Sequence, residues 1–307
     1  MKRLQRNILI VFCLMSALFL VCSVYYYQQY REACRVKQVL ILRQKAWNRL
    51  ESDIQDSLRR FNGKEGVFIK DLEYNWVISV NADHNFASAS LVKVPIMAAC
   101  FQAIQQGKVN PEEKITLEGR FKTNGSGALK QMPNGSSYNF WQLMEYMITQ
   151  SDNTASNIII DKLGMDYLDS YFKSIGLSGT NISRKMMDFS KRRRGIENYT
   201  TAYDMARILE LMYRRRLINE AVSRQSLQLL ARQKINDRIP ARLPSDVKVA
   251  HKTGLERNVC HDVGIVFTPY GDFLISVLVK HSGPAKEAKR LIAEVALKAY
   301  NYYANLQ

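Results

Sequence analysis

Three short polar motifs, Ser90-Leu91-Val92-Lys93, Ser151-Asp152-Asn153 and Lys252-Thr253-Gly254, stand in that order along a chain of 307 residues. Their first residues are 61 and then 101 positions apart. A fold that uses them as one site must bring three distant segments together. One motif alone is weak: a second S-x-x-K, Ser170-Tyr171-Phe172-Lys173, has no supporting context. The flanking residues say what carries each motif. Val94-Pro95-Ile96-Met97-Ala98-Ala99 continues Ser90 and Lys93 as an apolar helix, with Pro95 in the first turns, where a missing N–H is tolerated. Ser151 opens a second helix that Leu163-Gly164 ends. Lys252 follows a strand at 247–250. Strands at 263–267 and 273–279, joined by Pro269-Tyr270-Gly271-Asp272, read as an antiparallel hairpin.

The residue types imply a chemistry. A serine hydroxyl is a poor nucleophile at its ordinary pKa and needs an adjacent base. At i and i+3 on a helix, Ser90 and Lys93 share one face, so the amine can reach the hydroxyl. A lysine acts as that base only when burial or another cation pulls its pKa down. Lys252 is such a cation, and its charge also anchors a negative group on a substrate. Ser151 can pass a proton to a leaving nitrogen. The Asn153 amide can hydrogen-bond a substrate amide, and Thr253 a substrate carboxylate. Backbone N–H groups, most simply those of Ser90 and of Leu255 after Gly254, would form an oxyanion hole. The set points to serine acyl transfer.

As a set, the motifs resemble those of the class A β-lactamase family and its penicillin-interacting relatives, over about residues 40–307. The resemblance implies that Ser90 is the acylated nucleophile and Lys93 its base partner, with Ser151, Asn153, Lys252, Thr253, Gly254 and Leu255 as above. It implies an α/β (α+β) sandwich with a five-stranded antiparallel sheet, from about 40–89 and 233–307. An all-α subdomain of about 90–232 is inserted, and the site lies where the two meet. The expectation is a monomer without cofactor or metal, acting on β-lactams or peptidoglycan peptides.

One position departs from the family pattern. The family carries a glutamate in its Ω loop that activates the deacylating water. Thr180-Asn181-Ile182-Ser183-Arg184 resembles the start of that loop, and the segment from Asn198 its exit. Counted from Arg184, the glutamate position falls on Met186. Asp188, two residues on, is the acid placed to substitute, and Glu197 reads as structural. The loop neck is normally an Arg–Asp pair. Asn198 stands in the acid's place opposite Arg184, so a weaker neck is expected. Lys191-Arg192-Arg193-Arg194 reads as a solvated loop face rather than a substrate contact.

Composition bounds the rest. With 47% hydrophobic residues the chain can bury a large core. Its formal charge of +16 implies attraction to anionic headgroups or cell-wall polymers. Nucleic acid is discounted for want of a recognised motif. Lys2, Arg3 and Arg6 precede a charge-free stretch from Ile8 to Tyr27, long enough to span a bilayer. The competing reading, a cleaved signal peptide, wants small residues that Tyr25-Tyr26-Tyr27 does not offer. A lipoprotein reading at Cys22 wants a small residue where Val21 stands. The favoured reading is an uncleaved anchor and linker over 1–39, with the catalytic domain, 40–307, outside the cytoplasm. The five cysteines show no paired spacing, and a Cys100–Cys260 bridge stays open. His251 and His261 read as structural. Asn124-Gly125-Ser126-Gly127 and Asn134-Gly135-Ser136-Ser137 read as loops on the cleft rim.

Three functions compete: β-lactam hydrolysis with slow deacylation, D-alanyl-D-alanine peptidase or transpeptidase activity on peptidoglycan, and penicillin binding without turnover. The whole-chain pattern favours the first, and Met186 the other two.

Overall fold

The computed structural model describes residues 1–305. The chain divides into two units, Met1–Ser52 and Asp53–Gln307. All of the first unit but Met1 lies within α1 (Lys2–Arg59), a helix of 58 residues. Neither glycine nor proline occurs before Gly63, so nothing in the sequence breaks it. The residues from Leu40 to Arg59 therefore continue the helix of the charge-free stretch. That stretch makes α1 long and apolar enough to cross a membrane.

In the second unit, β1 (Gly63–Asp71) and β2 (Val77–Val80) form an antiparallel hairpin. β3 (Phe86–Ala87) follows and then α2 (Lys93–Gln105). Ten of the 13 residues of α2 are buried, Lys93 among them. A helix that is apolar all round belongs in a core. β4 (Lys114–Thr116) and β5 (Ser137–Asn139) form a small ladder before α3 (Phe140–Thr149). Asn139 and Gln142 cap α3 reciprocally. Next come α4 (Asn153–Leu163), α5 (Met165–Ser174) and the short α6 (Phe189–Arg193). β6 (Tyr199–Thr200), α7 (Ala202–Tyr213) and α8 (Glu220–Leu230) complete the helical middle.

β7 (Lys248–Glu256), β8 (Val259–Phe267) and β9 (Phe273–His281) return to the sheet, and α9 (Ala285–Ala304) closes the chain. The sheet has five strands in the order β2-β1-β9-β8-β7, every neighbour antiparallel. β8 is buried at every residue but the last, as its Val- and Ile-rich sequence requires of a strand covered on both faces. The last turn of α1 joins α9 through Ser57, whose hydroxyl donates to Glu294 at 2.6 Å. Cys100 and Cys260 are buried free thiols, so no bridge joins them; Cys260 Sγ instead accepts from Arg238 at 3.2 Å.

Candidate active site

The first motif begins on a strained turn. Ala89 has φ +46°, a left-handed conformation rare for a residue with a Cβ. It starts a 3-10 helix, Ala89–Val92, that runs directly into α2. Ser90 therefore sits on the tighter helix and Lys93 on the α-helix proper. The turn is held from two sides: Ser88 donates its N–H to Asn198 O at 2.8 Å, and His261 Nε2 bonds Ala87 O at 2.9 Å. β7 passes close by at Gly254. A Cβ there would come within 3.3 Å of Ser88 O and of the Leu91 side chain, which is why the third motif ends in glycine.

Ser151 also has a positive φ, +56°. Asp152 fixes the segment after it. One carboxylate oxygen caps α4 by accepting from Ala155 N at 2.9 Å; the other accepts from Leu129 N at 2.8 Å. Gly127 (φ +104°) lies against Asp152, leaving no room for a Cβ.

These turns bring the three motifs together around Ser151. Lys93 Nζ donates to Ser151 O at 2.7 Å, to Ser151 Oγ at 3.3 Å and to Asn153 Oδ1 at 2.7 Å. Lys252 Nζ donates to the same Ser151 Oγ at 3.0 Å and to Thr253 O at 2.9 Å. Two lysine amines thus share one hydroxyl in a buried place. Burial pulls the Lys93 amine down to about 7, against the opposing pull of Asp152 and Glu256. Lys252 lies well below its ordinary value, first through burial and then through the charge of Lys93. Asn153 is already engaged on both sides, since its NH2 donates to Asn124 O at 3.0 Å. Thr253 and Gly254 are buried on β7, opposite Asp262 and His261.

A cleft of about 780 Å³ opens beside this cluster. Ser90, Asn153, Leu255 and Met186 line it, with Gly125 and Ser126 on its rim as read from the sequence. The second loop signal is not there: Asn134-Gly135-Ser136 turns the chain into β5. Met186 is held by its backbone, with N donating to Asn157 Oδ1 at 2.8 Å and O accepting from Asn157 Nδ2 at 3.1 Å. Asp188 does not line this cleft; it caps α6, accepting from Lys191 N at 3.0 Å. His251 is buried against Asp262 and Asn236. His261 is held neutral, its pKa lowered to about 4 by burial. Both are buried.

The loop neck differs from the expectation. Asn198 does not pair weakly with Arg184; its side chain accepts from Ser183 N and Arg184 N and donates to Arg184 O, pinning backbone. The guanidinium pairs with Glu197 at 2.6 Å and Glu256 at 3.1 Å. Arg192 bridges the same two glutamates at 3.2 and 2.7 Å. The basic run is likewise not simply a solvated face, because Arg192 and Arg193 line the cleft. Glu256, Arg257, Met187 and Phe189 also line it and were not singled out from the sequence. Glu256 directly follows Lys-Thr-Gly-Leu, yet its partner Arg184 lies 72 residues away, so local pattern gives no sign of the pair. Among the described residues, no group of three or more His, Cys, Asp or Glu side chains is placed to hold a metal ion.

Residues 49–303 match the sequence model of a family described as the β-lactamase enzyme family. β-Lactamase VEB-1 of Pseudomonas aeruginosa is 26% identical over 269 residues, covering 82% of this chain and 89% of that protein. The crystal structure of a β-lactamase from Sphaerobacter thermophilus superposes with TM-score 0.77 at 26% identity, covering 84% of this chain and 98% of the other. The structure of PBP-A gives TM-score 0.77 at 29% identity, covering 84% and 96%. A single-substitution variant of PBP-A is solved as an acyl-enzyme complex with penicillin G.

Proposed function

This chain belongs to the β-lactamase enzyme family, of the class A type, and from that membership we propose that it opens β-lactam rings through an acyl-enzyme on Ser90. The observation that carries the reading is the row Lys93–Ser151–Lys252, hydrogen-bonded in the buried wall beside a cleft that Ser90 lines. Neutral Lys93 takes the proton of Ser90 as Oγ attacks the lactam carbonyl. The N–H groups of Ser90 and Leu255 hold the oxyanion. As the ring C–N bond breaks, Ser151 gives its proton to the leaving nitrogen and is re-protonated from the lysines it bonds. Lys252 and Thr253 hold the substrate carboxylate, and the second Asn153 N–H meets the substrate's amide.

Hydrolysis of the ester needs a base that holds a water against the acyl carbonyl. Met186, a cleft-lining residue, can neither accept a proton nor orient a water, and Asp188 is occupied as a cap. The acyl-enzyme therefore accumulates. That supports a second reading, a peptidoglycan D-alanyl-D-alanine peptidase or a penicillin-binding protein without turnover. The likeness to PBP-A favours it too. Residues 40–307 form the catalytic domain, with α/β parts near 40–89 and 233–307 and the helical part between. Residues 8–27 anchor it uncleaved, and the site faces away from the cytoplasm.

Labelling with a fluorescent penicillin and mapping the modified peptide tests the nucleophile. The label is expected on Ser90; a label on Ser170 or Cys100, or none, would overturn the assignment. With a chromogenic cephalosporin, a burst of about one product per enzyme precedes a slow steady state. Met186→Glu should speed the second phase alone. Fast linear turnover by the wild type would show that another base activates water.

A further inference from the structure

Around the cleft mouth the charges do not balance. Arg184 and Arg192 each contact both Glu197 and Glu256, so these four side chains close a ring of alternating charge with no net charge. Two more guanidiniums line the same cleft, Arg193 on α6 and Arg257 in the turn between β7 and β8. Both are exposed and, among the described residues, neither has an ion-pair partner. The nearest acid in sequence, Glu256, is already shared by two arginines. The surplus is two positive charges facing one cavity. Phe189 and Leu255, 42% and 46% exposed although large and apolar, line the same cleft, together with Met186 and Met187. An apolar wall and two cationic groups lining one cleft fit an occupant with an apolar body and an anionic tip.

We propose that Arg193 and Arg257 form a second anion subsite, which receives a carboxylate on the acyl-donor side of the substrate. The proposal rests on the reading of Ser90 as the acylated residue. Lys252, the proposed anchor for the leaving-group carboxylate, is buried against Ser151 and Thr253 and is separate from this pair. A substrate spanning both would carry two carboxylates, one on each side of the scissile bond. Penicillins with a carboxylate on the side chain have this chemistry. So do stem peptides with a free carboxylate upstream of their D-alanyl-D-alanine end. Planar guanidiniums suit a carboxylate because each can donate two parallel N–H bonds.

The test compares rate constants for acylation of the full chain by benzylpenicillin and by carbenicillin, its α-carboxy analogue. The readout is their ratio, in the wild type and in the double variant Arg193→Gln, Arg257→Gln. The double variant should lower the carbenicillin-to-benzylpenicillin ratio by about 2- to 5-fold at low salt, the range for exposed charge pairs. Added salt should erase most of the wild-type preference. The double lysine variant keeps the charges and should keep most of the ratio. Arg194→Gln, exposed and outside the cleft, should leave it unchanged. A ratio equal in wild type and double glutamine variant overturns the subsite. A second arm measures non-covalent binding of a D-alanyl-D-alanine peptide with a free upstream carboxylate and of its amidated form. This arm separates the two carboxylate sources and does not need acylation. If no penicillin reacts, the proposed function falls. The subsite then stands if the free peptide binds more tightly in an arginine-dependent way, and falls if the two peptides bind alike.

Discussion

At the residue scale, the chemistry depends on one amine being neutral. Lys93 is wholly buried, and its pKa near 7 makes the free base abundant at neutral pH. The sign follows directly. Below about 7 the amine holds its proton and cannot take that of Ser90; above it the base is free. Acylation should therefore rise with pH through about 7 and then level off. Lys93→Ala should slow acylation by roughly 10²–10⁴-fold and remove that rise, as loss of a general base does. Stopped-flow acylation across the pH range checks both, and a variant that acylates at wild-type speed would mean a different base. These motif residues were legible because their chemistry is written in residue types. The backbone that aims them was not. Ala89 and Ser151 take positive φ without being glycine, and no residue preference announces this.

At the element scale, the segment from Arg184 to Asn198 is held by charge where sequence spacing predicts a lone amide contact. Arg184 is 2% exposed and touches two carboxylates, whose charge and hydrogen bonds raise its pKa against the cost of burial. Removing one partner of a buried ion pair leaves the other charge uncompensated, which typically costs about 3–5 kcal/mol. Arg184→Ala should cost less than that in urea unfolding, because Arg192 still pairs both glutamates. It should also speed amide exchange across 185–197 more than in the sheet. Unchanged exchange in that segment would mean the ring does not hold the loop. Strands were legible here from apolar runs and turn signals: β8 and β9 cover the two runs that the sequence reads as a hairpin, β8 starting four residues earlier. The ring was not, because Glu256 arrives from β7 and periodicity carries no information about partners so far away.

At the scale of the whole molecule, the feature with the largest consequence for location is α1. Its charge-free stretch is long and apolar enough to cross a membrane, as an anchor or as a leader sequence. Fractionation should find the full chain with membranes, released by detergent and not by salt. N-terminal sequencing should begin before residue 20. A mature form starting beyond that point, or recovery in the soluble fraction, would show that the stretch is a cleaved leader. The charge of +16 adds attraction to anionic surfaces that weakens with ionic strength. The detergent and salt arms separate these two forces.

The clamp at the loop neck has a consequence for how such a protein can change. Because Arg184, Glu197 and Asn198 fasten both ends, and Asn198 O in turn holds the N–H of Ser88, residues 185–196 are bracketed by a support to which, from within the segment, Arg192 adds its two ion pairs. The interior then behaves as an exchangeable cassette. Its sequence can be rewritten, Met186 included and Arg192 excepted, while the turn that presents Ser90 keeps its seat. Reaction fate and substrate preference can drift there independently of the fold.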